Sequence, residues 1–585
     1  MNHMLAYSVI GIYLLLLIVV GMVMQRFNSD SSDYFRSGCR GTWWLVGSSA
    51  FMGAFSAWTF SGAAGAAYES GWSVAVVYLA NSAGFAINAL WLAPWFRQMR
   101  AITVPQVIEQ RFGRVTQQFY AWINVVLGLI YAALWLYGLA IFVSAVFGLP
   151  IQGVVIGVGL VVLIYSVIGG SWAVMSNDFL QTIILIPITL LVAYLALDAI
   201  GGLSSFWDQS MHGEHAAEFA VINTPQQFDG RYTLIWAIAM FIKNVIGYNT
   251  INSSVRYFSV KDGREARKAA WLGCGLMTIG AVIWMIPPMV GRLLYAQQIG
   301  SVEIAKPAES AYAVVSMQLL PPALVGLMVV AIFAATMSSM DTGLNRNAAI
   351  FTKDIYPRLC KLIGRVPAEG KALMRRGQLF SMIFGVLIVL LTLYFVSRDG
   401  QGVFEYMLTL GAVLALPLAV PMLLAMFIRK TPGWAAIFSV AMAAIPSAIG
   451  LMMQWPFEAK VLWNVGIGAT AYLLTMPFWR FEKPAYQQQV GDFFEQMHRP
   501  IDFEKEVGKA NDLKQLAIIG RFALIGGLLI LLLLLIPQSI RDRLCVLFVS
   551  GFVTGVGGLL IMASRRSVEV QRPVSIKQDV SNECA

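Results

Sequence analysis

Long apolar runs separated by short polar stretches set the pattern of this chain. About fifteen of these runs are long enough to cross roughly 30 Å of hydrocarbon as α-helices. They cover residues 5–25, 43–68, 72–96, 118–147, 151–169, 177–200, 233–255, 269–295, 319–346, 374–397, 403–428, 433–453, 461–479, 515–536 and 541–563. The runs are continuous rather than alternating, so the pattern predicts an all-α membrane protein and not a β-barrel.

Two of these runs are interrupted by residues that break helices. The first reads WWLVGSSAFMGAFSAWTFSGAAGAAYESGW from Trp43 to Trp72, with glycines, alanines and small alcohols but no Lys or Arg. The second reads KNVIGYNTINSSVR from Lys243 to Arg256. Broken helices free backbone carbonyls, which can hold a cation at mid-bilayer where protein surrounds them. Interrupted spans at matching places in two halves point to the central site of a transporter.

Composition and charge narrow the class further. The 585 residues are 58% hydrophobic and only 12% charged, which excludes a soluble globular protein of this size. The net charge of +10 comes from Lys and Arg in short loops, where they set orientation, so we expect a lipid bilayer and no nucleic acid as partner. The loops predict a multi-pass inner-membrane protein with its N-terminus outside and its C-terminus in the cytoplasm. No catalytic motif is visible, so we expect no enzyme.

The order of the runs predicts a repeated core. Runs two to six and runs seven to eleven form two sets of five, and each set opens with an interrupted helix. Because five is odd, the second set enters the membrane from the opposite side, as in an inverted-topology repeat. The predicted domains are an accessory span and cytoplasmic loop at 1–42, a first repeat at 43–200, an extracytoplasmic loop at 201–232, a second repeat at 233–430, and accessory spans at 431–585 that include a cytoplasmic connector at 480–514 and a tail.

The ninth run carries a polar face. Ala335, Ser338 and Ser339 are spaced i, i+3 and i+4, so they share one side of a helix. A carbonyl and two hydroxyls are hard oxygen ligands that suit a small cation such as Na⁺. Close helix packing through small residues is the alternative. Asp341 and Thr342 continue this face from Ser338, and a carboxylate there needs an ion or a cationic partner.

Three charged residues inside runs are functional candidates, because such groups are costly in a membrane. Asp341 is either part of an ion site or paired with Arg346 or Lys243. Asp178 lies in GGSWAVMSNDFLQT, where a turn meets the sixth run, and is either an ion ligand or an N-cap. Lys243 lies about 15 Å from either end of its run. It therefore needs Asp341, another carboxylate or an anionic substrate as its partner.

Polar and aromatic residues on or near the interrupted runs suit a small polar solute. Core packing and capping of the broken helix ends are the alternative roles. These candidate solute-binding residues are Trp58, Thr59, Lys243, Tyr248, Asn249 and Asn252.

Three segments resemble the signatures of the sodium:solute symporter family, whose branches transport sugars, proline and sialic acid. They are AATMSSMDTGLNRNAAIFTKDIY at 334–356, TVPQVIEQRFG at 103–113 and GGSWAVMSNDFLQ at 169–181. The resemblance covers roughly residues 5–480 and implies a LeuT-like core of five plus five helices with accessory helices around it.

The resemblance also implies two ion sites. In the main sodium site, backbone carbonyls of Met52 and Phe55 join the ninth-run residues Ala335, Ser338 and Ser339. The sialic-acid branch has a second sodium site, which here matches Asp178 together with Ser338, Asp341 and Thr342. An acid at position 341 replaces one hydroxyl, which would either bind this second ion more tightly or let a proton take its place.

No solute of a known branch can be transferred to this chain. Ala54 stands where the proline branch has an acid, Trp58 and Thr59 stand where the sugar branch has Glu-Gln, and residues 118–147 lack the arginine of the sialic-acid branch. We therefore predict a symporter that couples Na⁺ to import of a small polar organic solute by alternating access, and Lys243 favours an organic anion. The alternatives are a proton-coupled transporter that uses Asp341 or Asp178, and a membrane solute sensor with a transporter-like core.

Overall fold

The computed structural model describes residues 3–27, 33, 36–168, 171–398 and 402–570. Within these ranges it does not describe the side chains of residues 3–7, 14, 164–168, 341, 342, 371, 374 and 566–570. All regular structure in the described residues is helical apart from one parallel bridge between Gly41 and Val260. Twelve helices there are long and apolar enough to cross a membrane, or thirteen when one bent pair counts as a span. The predicted all-α membrane class is confirmed.

The first half of the chain contains the first broken helix. Its helices are α1 (His3–Met24), α2 (Trp43–Gly53), α3 (Gly62–Ser70), α4 (Ala75–Ile87), α5 (Val104–Phe112), α6 (Arg114–Phe147), α7 (Ile151–Ile168) and α8 (Ser171–Ala199). Between α2 and α3 the chain unwinds, except for one 3-10 turn at Ala57–Thr59. Gly71 ends α3 with φ +56, and a Cβ there would lie 2.6 Å from the Phe219 backbone, so only glycine fits.

The second broken helix follows the long loop. The helices here are α9 (Leu203–His212), α10 (Leu234–Tyr248), α11 (Gly263–Ile283), α12 (Ile286–Leu294), α13 (Ala311–Leu319), α14 (Pro322–Ile350), α15 (Gly370–Val396), α16 (Val403–Leu424), α17 (Ala435–Met452), α18 (Phe457–Leu474) and α19 (Pro484–His498). A 3-10 segment, Ile251–Ser259, continues α10 after a bend of 49°. Both predicted interruptions are therefore confirmed.

Helix α14 forms the centre of the packed core. Its most apolar stretch is entirely buried, and it contacts α1, α2, α6, α8 and α15. Helix α2 packs closely on α11, because a Cβ at Gly47 would lie 2.8 Å from the Ala269 carbonyl oxygen. Both α2 and the 3-10 turn of the unwound segment that follows it also contact α14.

The chain divides into two compact units, Met1–Gly508 and Lys509–Ala585. Helices α17 to α19 belong to the first unit, although the sequence places them with the accessory C-terminal region. In the second unit, α20 (Asp512–Leu531) and α21 (Ile540–Val570) pack against each other through glycines. A Cβ at Gly557 would lie 2.6 Å from the Leu524 backbone nitrogen, so the two backbones approach closely.

Candidate functional site: an ion cluster beside a cationic cavity

Hydrogen bonds between the backbone of the unwound segment and side chains of α14 hold the two together. The Ala57 N–H donates to the Thr336 hydroxyl at 2.9 Å. The Ser339 hydroxyl lies 2.7 Å from the Phe55 carbonyl oxygen and 3.2 Å from that of Met52. Two carbonyl oxygens at the break of the helix therefore face the side of α14 that the sequence singles out.

Ser338 and Ala335 complete this cluster from α14. Ala335 is fully buried and Ser338 is 3% exposed. The Ser338 oxygen forms no hydrogen bond of ordinary geometry with a described residue, although it interacts with the Asp178 carboxylate. A buried hydroxyl that lacks a well-formed hydrogen bond is costly, so it marks a place where a ligand is favourable. The structure thus brings together all five residues of the predicted main sodium site.

Asp178 lies beside the same cluster, but not at a helix start. Because α8 begins at Ser171, Asp178 is two turns inside the helix, and the N-cap interpretation is wrong. Its carboxylate is 1% exposed, accepts a hydrogen bond from the Ser49 hydroxyl and lies 3.8 Å from the Arg256 guanidinium. Ser338 lies close enough to interact with it. Asp178 therefore joins α8, α2 and the segment after α10.

The other two members of the predicted second site cannot be placed in the same way. Asp341 and Thr342 lie on α14 one turn beyond Ser338, and their side chains fall outside the described residues. Their role as ligands of a second sodium or proton site stays a prediction, as does the pairing of Asp341 with Arg346 or Lys243.

A cavity of about 500 Å³ adjoins the ion cluster. Gly53, Ala54 and Ser56 of the unwound segment form part of its wall. The same short segment therefore presents carbonyl oxygens to α14 and lines the cavity. Five predicted solute-binding residues also line it, and these are Trp58, Thr59, Lys243, Tyr248 and Asn252.

Asn249 is the exception among the predicted solute-binding residues. Its amide nitrogen donates to the backbone carbonyls of Val245, at 2.7 Å, and Gly84, at 3.3 Å. The side chain is buried and does not belong to the cavity wall. Asn249 therefore caps the C-terminal end of α10 and links this helix to α4 by a hydrogen bond. Capping of a broken helix end is the alternative role that the sequence indicates for these residues.

The cavity wall combines aromatic rings, amides and cations. Trp58 stacks on Phe404 with ring centroids 5.6 Å apart. The Asn124 amide donates to the Asn252 side chain at 3.4 Å. The wall contains three cationic side chains. Among the residues whose side chains are described, no Asp or Glu lines the wall. The cations are Lys243, Arg256 and Arg346.

Lys243 has no described carboxylate as partner. Its ammonium donates to the Asn244 side chain at 3.0 Å, and the described part of the chain offers it no ion pair. Gly411 of α16 packs against it, since a Cβ there would lie 2.5 Å from Lys243 Cε. The charge of Lys243 is therefore directed at the cavity.

Charged loop residues hold the first turn of α16, and the next turn of this helix lines the cavity with Met407 and Leu408. Glu405, at the start of α16, binds Arg231 at 2.9 Å and Lys306 at 2.7 Å. Glu309, in the loop before α13, is 4% exposed and accepts from the Phe404 N–H at 3.4 Å. Burial raises the pKa of Glu309 to about 7. These contacts hold α16 and its loop partners together next to Trp58.

Sequence reasoning missed Thr336 and most of the cavity amides. Thr336 is one residue off the predicted face of α14, so helical spacing alone does not select it. Asn88 and Asn124 lie inside apolar runs, where a polar side chain is costly enough to be noticed. Which way each faces depends on packing between helices that are far apart in sequence.

The fold and this site define a helical membrane transporter. Two solved structures share the fold, a LeuT-like architecture. One is a Na⁺-coupled sialic acid symporter in a substrate-bound outward-open state, with TM-score 0.69, 19% identity and coverage of 81% of this chain and 98% of that one. The other is a nucleobase-cation-symport-1 family transporter in a closed conformation, with TM-score 0.53, 14% identity and coverage of 80% and 99%.

The family model described as "Sodium:solute symporter family" matches residues 34–442, and the chain belongs to that family. A sodium/glucose cotransporter of Vibrio parahaemolyticus is 26% identical over 483 residues, which are 78% of this chain and 87% of the relative. Sodium/glucose cotransporter 2 of Rattus norvegicus is 28% identical over 468 residues, which are 72% and 68%. The family and these relatives are transporters rather than enzymes, so both the recognised family and the expectation of no enzyme are confirmed.

Proposed function

We propose that this protein is a sodium-coupled symporter of the inner membrane that imports a small organic anion by alternating access. One observation carries the proposal. The Ser339 hydroxyl touches the carbonyl oxygens of both Met52 and Phe55, while the buried oxygen of the neighbouring Ser338 lies beside the Asp178 carboxylate and forms no hydrogen bond of ordinary geometry. Family membership and sodium-coupled relatives support the same coupling ion.

Fifteen spans in a five-plus-five inverted repeat are the architecture that we propose. Support comes from helices at all fifteen predicted places and from the broken helices that open each predicted set. The proposed orientation keeps the N-terminus outside and the C-terminus in the cytoplasm, following the Lys and Arg loops.

Sodium would bind between the unwound segment and α14. Its proposed ligands are the carbonyl oxygens of Met52, Phe55 and Ala335 with the hydroxyls of Ser338 and Ser339. Each Na⁺ that enters through a membrane potential of 100 mV gains about 2.3 kcal/mol in addition to its concentration gradient. That free energy is available to drive the solute inward.

The unwound segment provides the coupling between ion and solute. Its carbonyls face α14, while Ala54 and Ser56 line the cavity one or two residues away. Sodium binding would therefore fix the backbone that forms part of the solute site. A ligand shifts a conformational equilibrium only by its different affinity for the two states. Sodium and solute would thus favour the same conformation through one shared segment.

Proton coupling is the second candidate, because Asp178 is buried beside Ser338. Protonation of Asp178 or Asp341 would then replace an ion. Uptake into proteoliposomes with an imposed Na⁺ gradient, compared with choline and with a pH gradient alone, separates the two. We expect uptake to require Na⁺; uptake that persists in choline and follows the pH gradient would replace sodium coupling by proton coupling.

Solute class is tested by counterflow with labelled carboxylates, sugars and amino acids. Lys243→Gln should reduce transport of anions more than that of neutral solutes. No described carboxylate pairs with the Lys243 ammonium, so an anionic solute can bind it without breaking an existing ion pair. Arg398→Gln, at an exposed position after α15, serves as the control. Equal losses for anionic and neutral solutes would make Lys243 a structural residue.

A further inference from the structure

Among the side chains that the structure describes, the cavity wall contains more positive charge than a monoanion can balance. Arg256 is one of its three cations, and the Asp178 carboxylate lies 3.8 Å from it. Lys243 and Arg346 are the other two, and neither forms an ion pair with a described carboxylate. Charges that face a confined, partly apolar space are stabilised strongly by an opposite charge.

The Lys243 ammonium lies at the same depth in the cavity as the hydroxyl of Tyr131 on α6. A Cβ at Gly411 would lie 3.2 Å from the Lys243 ammonium and 3.8 Å from the Tyr131 hydroxyl, so both groups surround the same glycine. Tyr131 also lines the cavity. The ammonium is therefore positioned beside this ring and opposite the start of the third turn of α16.

The backbone of Arg346 lies at a different level along the same wall. Its neighbour Asn347 donates to the Val125 carbonyl at 3.1 Å and abuts Gly128 of α6. With a rise of 1.5 Å per residue, these positions are roughly 5–9 Å along α6 from Tyr131. Arg346 Nε is buried and has no hydrogen-bond partner among the described residues. Arg346 is also close enough to Arg256 for the two charges to interact.

We infer that the solute is a small dianion, such as a short dicarboxylate, with one anionic group at Lys243 and the other at Arg346. This inference rests on the proposed function and names its substrate class. The cavity volume of about 500 Å³ is within the range of small-molecule sites. The Asn124–Asn252 amide pair lies in the same wall and can serve polar groups between the two anionic ends.

The test compares dianions with analogues that lack one charge. Purified protein in proteoliposomes with NaCl is assayed by counterflow with succinate, glutarate and adipate, each beside its monoamide. We expect at least one dicarboxylate to bind roughly tenfold or more tightly than its monoamide, because the monoamide leaves one cation unbalanced. Lys243→Gln and Arg346→Gln should each reduce this preference to within about threefold.

Controls separate lost recognition from lost folding. Arg346→Lys keeps the charge and should retain most of the preference, and Arg398→Gln should leave it unchanged. Size-exclusion chromatography identifies variants that do not fold. If a glutamine variant does not fold, the inference is judged on the preference of the wild-type protein for the dicarboxylate over its monoamide and on the preference that Arg346→Lys retains.

Two failures are distinguishable. If sodium-dependent transport occurs but no dicarboxylate is preferred to its monoamide, or if Arg346→Gln keeps the preference, the dianion inference is overturned while sodium symport stands. If no tested solute shows sodium-dependent transport, the proposed function itself fails.

Discussion

Substitution of Ser338 by alanine tests the proposed sodium site most directly. The Ser338 oxygen is buried and forms no hydrogen bond of ordinary geometry with a described residue, so Ser338→Ala removes only its interaction with the Asp178 carboxylate from the ion-free protein. Ser339→Ala, in contrast, removes the hydroxyl that contacts Met52 and Phe55. An effect of Ser338→Ala that appears only with sodium therefore reports the ion.

The size of this effect follows from the lost ligand. A hydrogen bond or comparable polar contact to a charged group contributes about 1.5–3 kcal/mol. Loss of one such contact should weaken sodium binding roughly 10- to 100-fold. At sodium concentrations above both dissociation constants, the stabilisation by sodium should fall by about the same 1.5–3 kcal/mol.

Thermal unfolding in detergent, titrated with NaCl against choline chloride, measures both quantities. Ser381→Ala is a matched control, because that buried hydroxyl bonds the Gly377 carbonyl of its own helix at 3.1 Å. We expect wild type and Ser338→Ala to unfold at similar temperatures in choline and to differ in NaCl. A folded Ser338→Ala protein with an unchanged sodium half-saturation would refute the ligand assignment.

Two further predictions concern packing and pH. Gly47→Ala should lower the free energy of unfolding by about 1–3 kcal/mol, because its Cβ would meet the Ala269 backbone. Gly275→Ala is the control, because a Cβ there meets open space. Equal shifts of the thermal unfolding temperature in the two variants would contradict this reasoning. Since burial raises the pKa of Glu309 to about 7, the folded protein holds this proton more tightly than the unfolded chain, and stability should fall as pH rises from about 5 through 7. Glu309→Gln should flatten that slope in unfolding scans, and an unchanged slope would exclude Glu309 as its source.

Local patterns in the sequence predicted the interrupted helices well. Glycines and small alcohols between Trp43 and Trp72 favour an interruption of the apolar helix, and the structure unwinds between α2 and α3. The spacing of Ser338 and Ser339 likewise fixed the face of α14 that meets the break. The Asp178 prediction was wrong in one respect, because the helix starts at Ser171, earlier than the apolar run.

The sequence by itself determined the class of this protein, because the length of each apolar run and the residues that break it are local properties set by the thickness of the bilayer. Tertiary structure decided which polar groups meet. It directed Asn249 to a backbone carbonyl of α4 rather than to the cavity, and it placed Arg346 in the wall that Lys243 also lines. Such choices depend on the distance and rotation between helices that are far apart in the chain, and the periodicity within one helix contains neither quantity.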